Sequence, residues 1–276
     1  MTAPVAVSLV VTDLDGTFWL TDDHVPEATL AAVARLDELG IPLLVATGRR
    51  LTSTRGPLDR FGLAPAAVVL NGALGVELAT GTRFHRAPYP TEQAVAVLEA
   101  CRSVGCDPVV YLDHPDLDAC ISATPTTHPG HVAGFGTAVR TADLARVVAE
   151  ESVLGFSMIG VPFPAAEAAV AAIDGVAETH VDRSIDYPGT ASFTAAPRGQ
   201  SKWDGVLAFC AHRGLDPTRV LALADGPNDL ELLDGAAVRL VPEVSHPAAR
   251  ERADHVIAPP ADGGWAEVLD HLGPVS

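Results

Sequence analysis

Four short clusters of polar residues each follow an apolar segment that is typical of a β-strand. The clusters are Asp13 to Thr17 (DLDGT), Thr47 to Arg49 (TGR), Asn71 to Gly72 (NG) and Asp225 to Asp229 (DGPND). In open α/β sheets, ligands bind at the carboxyl ends of the parallel strands. If the four strands are parallel neighbours, all four clusters meet at one edge of the sheet.

The two acidic clusters are candidates for a cation site. Asp13 and Asp15 are two residues apart, and side chains two residues apart in a strand point to the same face. Asp225 and Asp229 flank a Gly-Pro turn. Hard divalent cations such as Mg²⁺ prefer oxygen ligands of this kind. An acidic turn after a strand, or a cap at a helix start, has the same local sequence, so each cluster alone leaves both interpretations open. Their common position at strand ends favours a shared site.

Two further features suit an anionic ligand. Thr47 and Gly48 place a hydroxyl and accessible main-chain N–H groups directly after a strand. Of the 18 basic residues 17 are Arg, and the single lysine is Lys202. Lysine carries a compact charge on a thin stem, whereas arginine presents a broad planar fork. Lys202 is therefore a candidate for a role that a guanidinium cannot perform, although a leftover surface lysine is the simpler interpretation.

The elements that must position these residues alternate between strand and helix at both ends of the chain. Strand patterns cover residues 5–12, 41–46, 66–70, 220–224 and 237–241, and helical patterns cover 26–39, 51–61, 201–212, 227–233 and 264–272. This alternation predicts right-handed βαβ units and a Rossmann-like parallel sheet. The middle of the chain is richer in Pro, His and Gly and has its own helical and strand patterns. We therefore predict an α/β protein with a discontinuous core, residues 1–81 and 188–276, and an inserted α/β domain, residues 82–187.

Composition narrows the class of protein. Hydrophobic residues make up 48% of the chain, which is enough for a buried core and excludes disorder throughout. The formal charge of −17 disfavours nucleic acid and anionic membrane surfaces as partners. The amino terminus lacks the basic flank of a secretory signal, and the four cysteines show no CxxC spacing. We expect a soluble, cytoplasmic protein.

The four clusters resemble the motifs of a known family. DLDGT resembles the first motif of the haloacid dehalogenase-like phosphatases, TGR the second, Lys202 within GQSK the third and DGPND the fourth. The NGA at 71–73, the DGG at 262–264 and the late insertion resemble the Cof-type branch of that family. Ala224 stands where a glycine is common, and Pro227 lies inside the fourth motif. These departures imply an altered loop shape, with every charged group of the reaction retained.

The resemblance implies a Mg²⁺-dependent phosphatase that acts on a small phosphorylated metabolite, with sugar phosphates as the leading class. It implies that Asp13 is the nucleophile, Asp15 the general acid and base, and Lys202 the cation beside Asp13. The implied metal site uses the carboxylates of Asp13 and Asp225 and the main-chain carbonyl of Asp15, with Asp229 also at the metal. The implied substrate-binding residues are Thr47, Gly48, Arg49, Asn71 and Asn228. The inserted segment would be a cap.

Other functions remain open from the sequence. A phosphomutase would return the phosphoryl group to a sugar, and a non-catalytic protein would only bind a phosphorylated ligand. Intact Asp13, Asp15, Lys202 and Asp225 argue against the second of these. A dehalogenase would not need the second acidic cluster to bind a metal. We expect a monomer or a homodimer.

Overall fold

The computed structural model describes residues 6–19, 23–184 and 186–273. It divides into two compact units. The core unit comprises Met1–His85 and Ser201–Ser276, and the cap unit comprises Arg86–Gln200. Within the described residues, no helix is both long enough and apolar enough to cross a membrane.

The elements follow one another in an order that alternates between sheet and helix. The strands are β1 (Leu9–Thr12), β2 (Leu43–Ala46), β3 (Ala66–Val69), β4 (Leu74–Glu77), β5 (Arg83–Arg86), β6 (Val109–Leu112), β7 (Ala119–Ile121), β8 (Val139–Thr141), β9 (Val153–Val161), β10 (Glu178–Arg183), β11 (Ala191–Ala196), β12 (Val220–Leu223), β13 (Val238–Pro242) and β14 (His255–Ile257). The α-helices are α1 (Glu27–Glu38), α2 (Leu51–Arg60), α3 (Thr91–Ser103), α4 (Pro129–Ala133), α5 (Leu144–Glu150), α6 (Phe163–Ile173), α7 (Lys202–Arg213), α8 (Leu230–Gly235) and α9 (Pro247–Arg250).

The core unit is built on a sheet in the order β14-β13-β12-β1-β2-β3-β4-β5. The six strands from β14 to β3 pair in parallel, and β4 turns back antiparallel to β3. Strands β1, β3 and β12 are buried along their whole length, which explains their continuous apolar sequences. Thr12 lies opposite Leu223 on one side and Val45 on the other. The three neighbouring strands therefore end together, and the loops that follow them share one edge.

Helix α7 is the element that carries the single lysine. It begins at Lys202 because the Ser201 hydroxyl accepts from the Asp204 N–H while the Asp204 carboxylate accepts from the Ser201 N–H, a capping box. The helix ends at Arg213 and is capped by Gly214, which has left-handed backbone angles. A Cβ on Gly205 would lie 2.4 Å from the Val68 side chain, so glycine allows α7 to pack closely on β3.

The cap unit has a six-stranded sheet in the order β10-β11-β9-β6-β7-β8. Its pairings are antiparallel except that between β7 and β8. Helices α3, α5 and α6 contribute to an apolar core that includes Leu98, Cys101, Phe156 and Phe193. The four cysteines of the chain are buried as free thiols. Burial raises the pKa of the Cys101 thiol to about 12, so this side chain behaves as a small apolar group.

The predicted fold class, a Rossmann-like core with an inserted α/β domain, is confirmed by this architecture. The two compact units divide at other residues than the predicted domain boundaries, which stay predictions. Residues 188–200 belong to the cap unit, because β11 pairs with both β9 and β10. The first division between the units lies after His85, and the predicted boundary lies after residue 81. The closing helix predicted at 264–272 is a 3₁₀ helix over Gly264–His271.

Candidate active site

The loop after β1 is fixed against β12 before it reaches the site. The Asp13 N–H donates to the Leu223 carbonyl (2.9 Å), which extends the pairing by one residue. Gly16 has a φ of 78°, and a Cβ there would lie 2.5 Å from Oδ2 of Asp225, so only glycine fits. The Thr17 hydroxyl donates to Oδ1 of Asp225 at 3.0 Å. The first and fourth clusters of the sequence are therefore in direct contact.

Lys202 lies between two carboxylates from different loops. Its Nζ is 2.6 Å from Oδ1 of Asp13 and 2.5 Å from Oδ1 of Asp229. The lysine is buried, and burial by itself lowers its pKa. The charges of Asp13 and Asp229 and their hydrogen bonds outweigh burial and leave the pKa raised. The single lysine is thus a buried ammonium group in contact with the first aspartate of the DLDGT cluster.

Three carboxylates form one oxygen-rich group around this lysine. Asp13, Asp225 and Asp229 each offer an oxygen, and these atoms lie within 4.8 Å of one another. Burial raises the pKa of Asp13 well above its ordinary value, against the opposing charge of Lys202, and nearby carboxylates raise it further. Burial and the Asp229 charge raise the pKa of Asp225 to about 6, despite the Thr17 hydrogen bond and Lys202.

The charge balance of this group fits a divalent cation. Three carboxylates share one ammonium group, so negative charge is in excess in a buried place. Hard carboxylate oxygens are the ligands that Mg²⁺ prefers. The residues therefore fit the metal that the sequence predicts, with Asp229 contributing an oxygen beside Asp13 and Asp225.

Asp15 faces a different set of groups from Asp13. Its carboxylate forms a two-pronged ion pair with Arg49, in which Nε lies 2.6 Å from Oδ2 and Nη2 contacts Oδ1. The indole Nε1 of Trp19 donates to Oδ1 at 3.1 Å. Burial lowers the pKa of the Arg49 guanidinium, but its contacts with Asp15 and Asp23 outweigh burial and raise it overall. Arg49, predicted to bind substrate, has its side chain at Asp15 here.

The second and third clusters meet beside the fourth. The Asn71 N–H donates to the Thr47 carbonyl (3.1 Å), and Nδ2 of Asn228 donates to Oδ1 of Asn71 (3.1 Å). Asn71 has a φ of 52°, a left-handed conformation that asparagine tolerates. A Cβ on Gly48 would lie 3.0 Å from Oδ1 of Asn71, so this glycine allows the approach. The Asn71 carboxamide thus links two loops.

Three side chains of this region were not among the predicted site residues. Thr17 lies inside the DLDGT cluster, so its hydroxyl was available as a signal. Trp19 and Asp23 follow the cluster and belong to no recognisable sequence motif. The local sequence does not encode the contacts that these two residues make with Asp15 and Arg49.

Comparisons with known proteins match nearly the whole chain to one family. A family model described as haloacid dehalogenase-like hydrolase matches residues 10–128 and 164–269. The chain is 23% identical over 281 residues to the pyridoxal phosphate phosphatase YbhA of Escherichia coli (strain K12), covering 96% of this chain and 98% of that protein. It is 25% identical over 269 residues to a phosphoglycolate phosphatase of Methanopyrus kandleri, covering 96% and 97%.

A solved structure supports the same fold. The chain superposes on the haloacid dehalogenase subclass IIB sugar phosphatase BT4131 with a TM-score of 0.73 and 18% identity. The match covers 96% of this chain and 98% of the other. At this level of identity, the likeness shows a common architecture for both units.

Proposed function

Because the chain belongs to the haloacid dehalogenase-like hydrolase family, we propose that it is a Mg²⁺-dependent phosphatase acting on a small phosphorylated metabolite. The observation that carries the proposal is the buried ammonium group of Lys202, bonded to Asp13 inside a group of three carboxylates. Similar proteins named as phosphatases of pyridoxal phosphate and phosphoglycolate support a small phosphate monoester as substrate.

The first half of the proposed reaction transfers the phosphoryl group to the protein. A carboxylate oxygen of Asp13 attacks phosphorus, and the bond between phosphorus and the leaving-group oxygen breaks. Asp15 donates its proton to that oxygen, so the product leaves as an alcohol. Lys202 keeps its positive charge and offsets the charge on the phosphoryl oxygens. The Thr47 hydroxyl and the Gly48 N–H hold those oxygens in place.

The second half returns the protein to its starting state. The Asp15 carboxylate takes a proton from a water molecule as that water attacks the phosphorus of the aspartyl-phosphate. The bond between phosphorus and the Asp13 oxygen breaks, which restores the carboxylate and releases inorganic phosphate. Asp15 then holds the proton that the next leaving group requires.

Asp13, Asp225 and Asp229 would hold the proposed Mg²⁺, with the main-chain carbonyl of Asp15 as a further ligand. When bound, the ion offsets phosphate charge and orients the phosphoryl oxygens. Two of these carboxylates, Asp13 and Asp229, also bond to Lys202, so the proposed site would place two cations next to the reacting group.

Sugar phosphates are the first substrate class to test, since the solved relative with the same architecture is named as a sugar phosphatase. Purified protein is assayed against a panel of phosphorylated metabolites with Mg²⁺, in parallel with Asp13→Asn. We expect phosphate release from at least one monoester, and a loss of about 10⁴-fold in the variant, because the nucleophile is removed. Acid-quenched wild type should carry a phosphoryl group on the peptide that contains Asp13.

The same assay separates the other functions. Full activity in Asp13→Asn contradicts the nucleophile assignment. Transfer of the phosphoryl group to a second sugar, without phosphate release, identifies a mutase. Tight binding of a phosphorylated metabolite without any turnover identifies a binding protein.

A further inference from the structure

The guanidinium of Arg49 is held on several sides at once. Its Nε and Nη2 face Asp15, while Nη1 lies 2.7 Å from Oδ1 of Asp23 and donates to the Ser53 carbonyl (3.3 Å). Its central carbon lies 4.8 Å from the centre of the Trp19 ring, in a cation–π contact. A guanidinium is a rigid planar fork, so fixing one nitrogen directs the others.

Trp19 is fixed in position where it contacts the Arg49 guanidinium. It is fully buried, and its indole N–H donates to Asp15. Its ring meets Phe18 at 6.1 Å in an edge-to-face arrangement, and Phe18 meets Trp265 in the same way at 5.2 Å. Trp19 therefore holds its face to Arg49 and its N–H to Asp15 in one fixed orientation.

Asp23 contacts the edge of the Arg49 guanidinium that faces away from Asp15. Its φ is 58°, in the left-handed region that Asp and Asn enter more easily than other residues. Its carboxylate is 25% exposed and contacts two guanidinium groups, Arg49 at 2.7 Å and Arg60 at 3.3 Å. Only the first of these two arginines also contacts Asp15.

We propose that Asp23 is a positioning residue that acts through Arg49 to orient the Asp15 carboxylate. Asp23 and Ser53 fix Nη1, and the opposite edge of the guanidinium then presents Nε and Nη2 to both oxygens of Asp15. Without the Asp23 charge, the long Arg49 side chain gains freedom, and Asp15 loses its fixed direction. This inference rests on the proposed function, in which Asp15 transfers the proton.

The predicted consequence depends on the leaving group. An alkyl phosphate needs proton donation as its bond to phosphorus breaks, whereas an aryl phosphate leaves as a stabilised anion and needs less help. Poor orientation of Asp15 therefore slows alkyl esters more than aryl esters. A general loss of structure slows both to the same extent.

The test variant is Asp23→Asn, which keeps the size of the side chain and its tolerance of left-handed backbone. The matched control is Arg60→Gln, which removes the other partner of Asp23 and leaves Arg49 in place. For each protein, kcat/KM is measured with one alkyl phosphate and one aryl phosphate. We expect kcat/KM of Asp23→Asn to fall about tenfold with the alkyl ester and about twofold or less with the aryl ester. The tenfold loss is only a part of what general acid catalysis contributes, because Asp15 itself is still present. The control should retain both activities.

A second measurement needs no substrate. The Nε–Hε signal of Arg49, assigned by its loss in Arg49→Lys, should exchange slowly with water in the wild type and faster in Asp23→Asn. Equal losses on both esters, no loss, the same pattern in Arg60→Gln, or an unchanged Arg49 signal would each overturn the proposal. If the wild type turns over no phosphate ester, the proposed function fails, and the Arg49 signal still decides whether Asp23 holds this side chain.

Discussion

The core unit and the cap unit differ in what they bury. The core unit buries Lys202, Asp13 and Asp229 in mutual contact at the ends of its parallel strands. The described part of the cap unit has a mainly apolar interior, although Asp118 is buried there. Its ion pairs each have an exposed arginine, as in the pair of Arg146 (75% exposed) with Glu150. Burying charge is unfavourable unless it is paired, so the core unit gives up stability to fix its charges in place. The cap unit is stabilised mainly by apolar packing.

This difference supports the proposal that the chemistry lies in the core unit, and it does not identify the substrate. Preorganised charge is what phosphoryl transfer requires, and it lies in loops whose sequences are short and distinctive. The cap unit has ordinary packing, which many sequences satisfy equally well. Substitutions at the buried charges of the core unit should therefore reduce turnover, whereas substitutions in the apolar interior of the cap unit should reduce stability.

Replacing Lys202 by Met should give the largest effect. The substitution keeps the length of the side chain but leaves Asp13 and Asp229 buried without their cation. We expect turnover to fall about a thousandfold or more, in line with the loss of a transition-state charge contact. We expect a loss of about 3 kcal/mol in the free energy of unfolding, measured with urea at neutral pH.

The control for Lys202→Met lies on the same helix. Arg213 bonds to both oxygens of Glu77 at 2.9 Å, at the other end of α7. Arg213→Met should lower stability by about 1–2 kcal/mol, since Glu77 is largely buried, while kcat remains unchanged. Normal turnover in Lys202→Met would show that the Lys202 charge stabilises the core unit but takes no part in the reaction.

The matching change in the cap unit is Phe156→Ala. Phe156 is buried and meets Tyr89 edge-to-face at 5.4 Å. Its truncation should lower stability by about 3–5 kcal/mol through lost burial and a cavity. Metal binding should not change, because the three carboxylates lie in the core unit. Weaker Mg²⁺ affinity in the folded variant, measured by calorimetry, would contradict the separation of roles between the two units.

Adding Mg²⁺ should stabilise the core unit specifically. At a concentration about 100 times its Kd, a ligand of the folded state contributes about 2.7 kcal/mol, or a rise in Tm of about 5 °C for a protein of this size. Asp225→Asn should abolish the rise, whereas Asp118→Asn, a buried aspartate of the cap unit, should retain it. Hydrogen exchange should slow at residues 13–17 and 225–229. A rise that persists in Asp225→Asn would exclude the three-carboxylate site.

The sequence predicts much of the core unit because its central strands are buried on both faces. The predicted strands at 5–12, 41–46 and 220–224 correspond to β1, β2 and β12, whose continuous apolar runs need no knowledge of their partners. Strand β11 (ASFTAA) was missed because its sequence is weakly apolar and small. It becomes a strand by pairing with β9 and β10, which no local pattern shows.

Some features of the candidate site can also be predicted from the sequence, and others cannot. The sequence predicts that the four clusters share an edge, since this follows from parallel strands alone, and the structure brings them into contact. It does not predict the direction of a long side chain. Arg49 was expected at the substrate, and its guanidinium lies between Asp15 and Asp23. Asp23 meets Arg49 from a left-handed backbone conformation, which no local sequence pattern predicts.

The smallest effects should come from exposed ion pairs, where the two units should behave alike. Arg35 pairs with Glu38 at 2.7 Å in the core unit, and Arg146 pairs with Glu150 at 2.8 Å in the cap unit. Each pair lies on one helix face in water, so Arg35→Gln and Arg146→Gln should each lower the midpoint of urea unfolding only slightly. In about 1 M salt, where the screening length is about 3 Å, both effects should disappear. A clearly larger loss from Arg146→Gln would mean that the cap unit also depends on charge, and the contrast between the interiors would no longer explain where the chemistry lies.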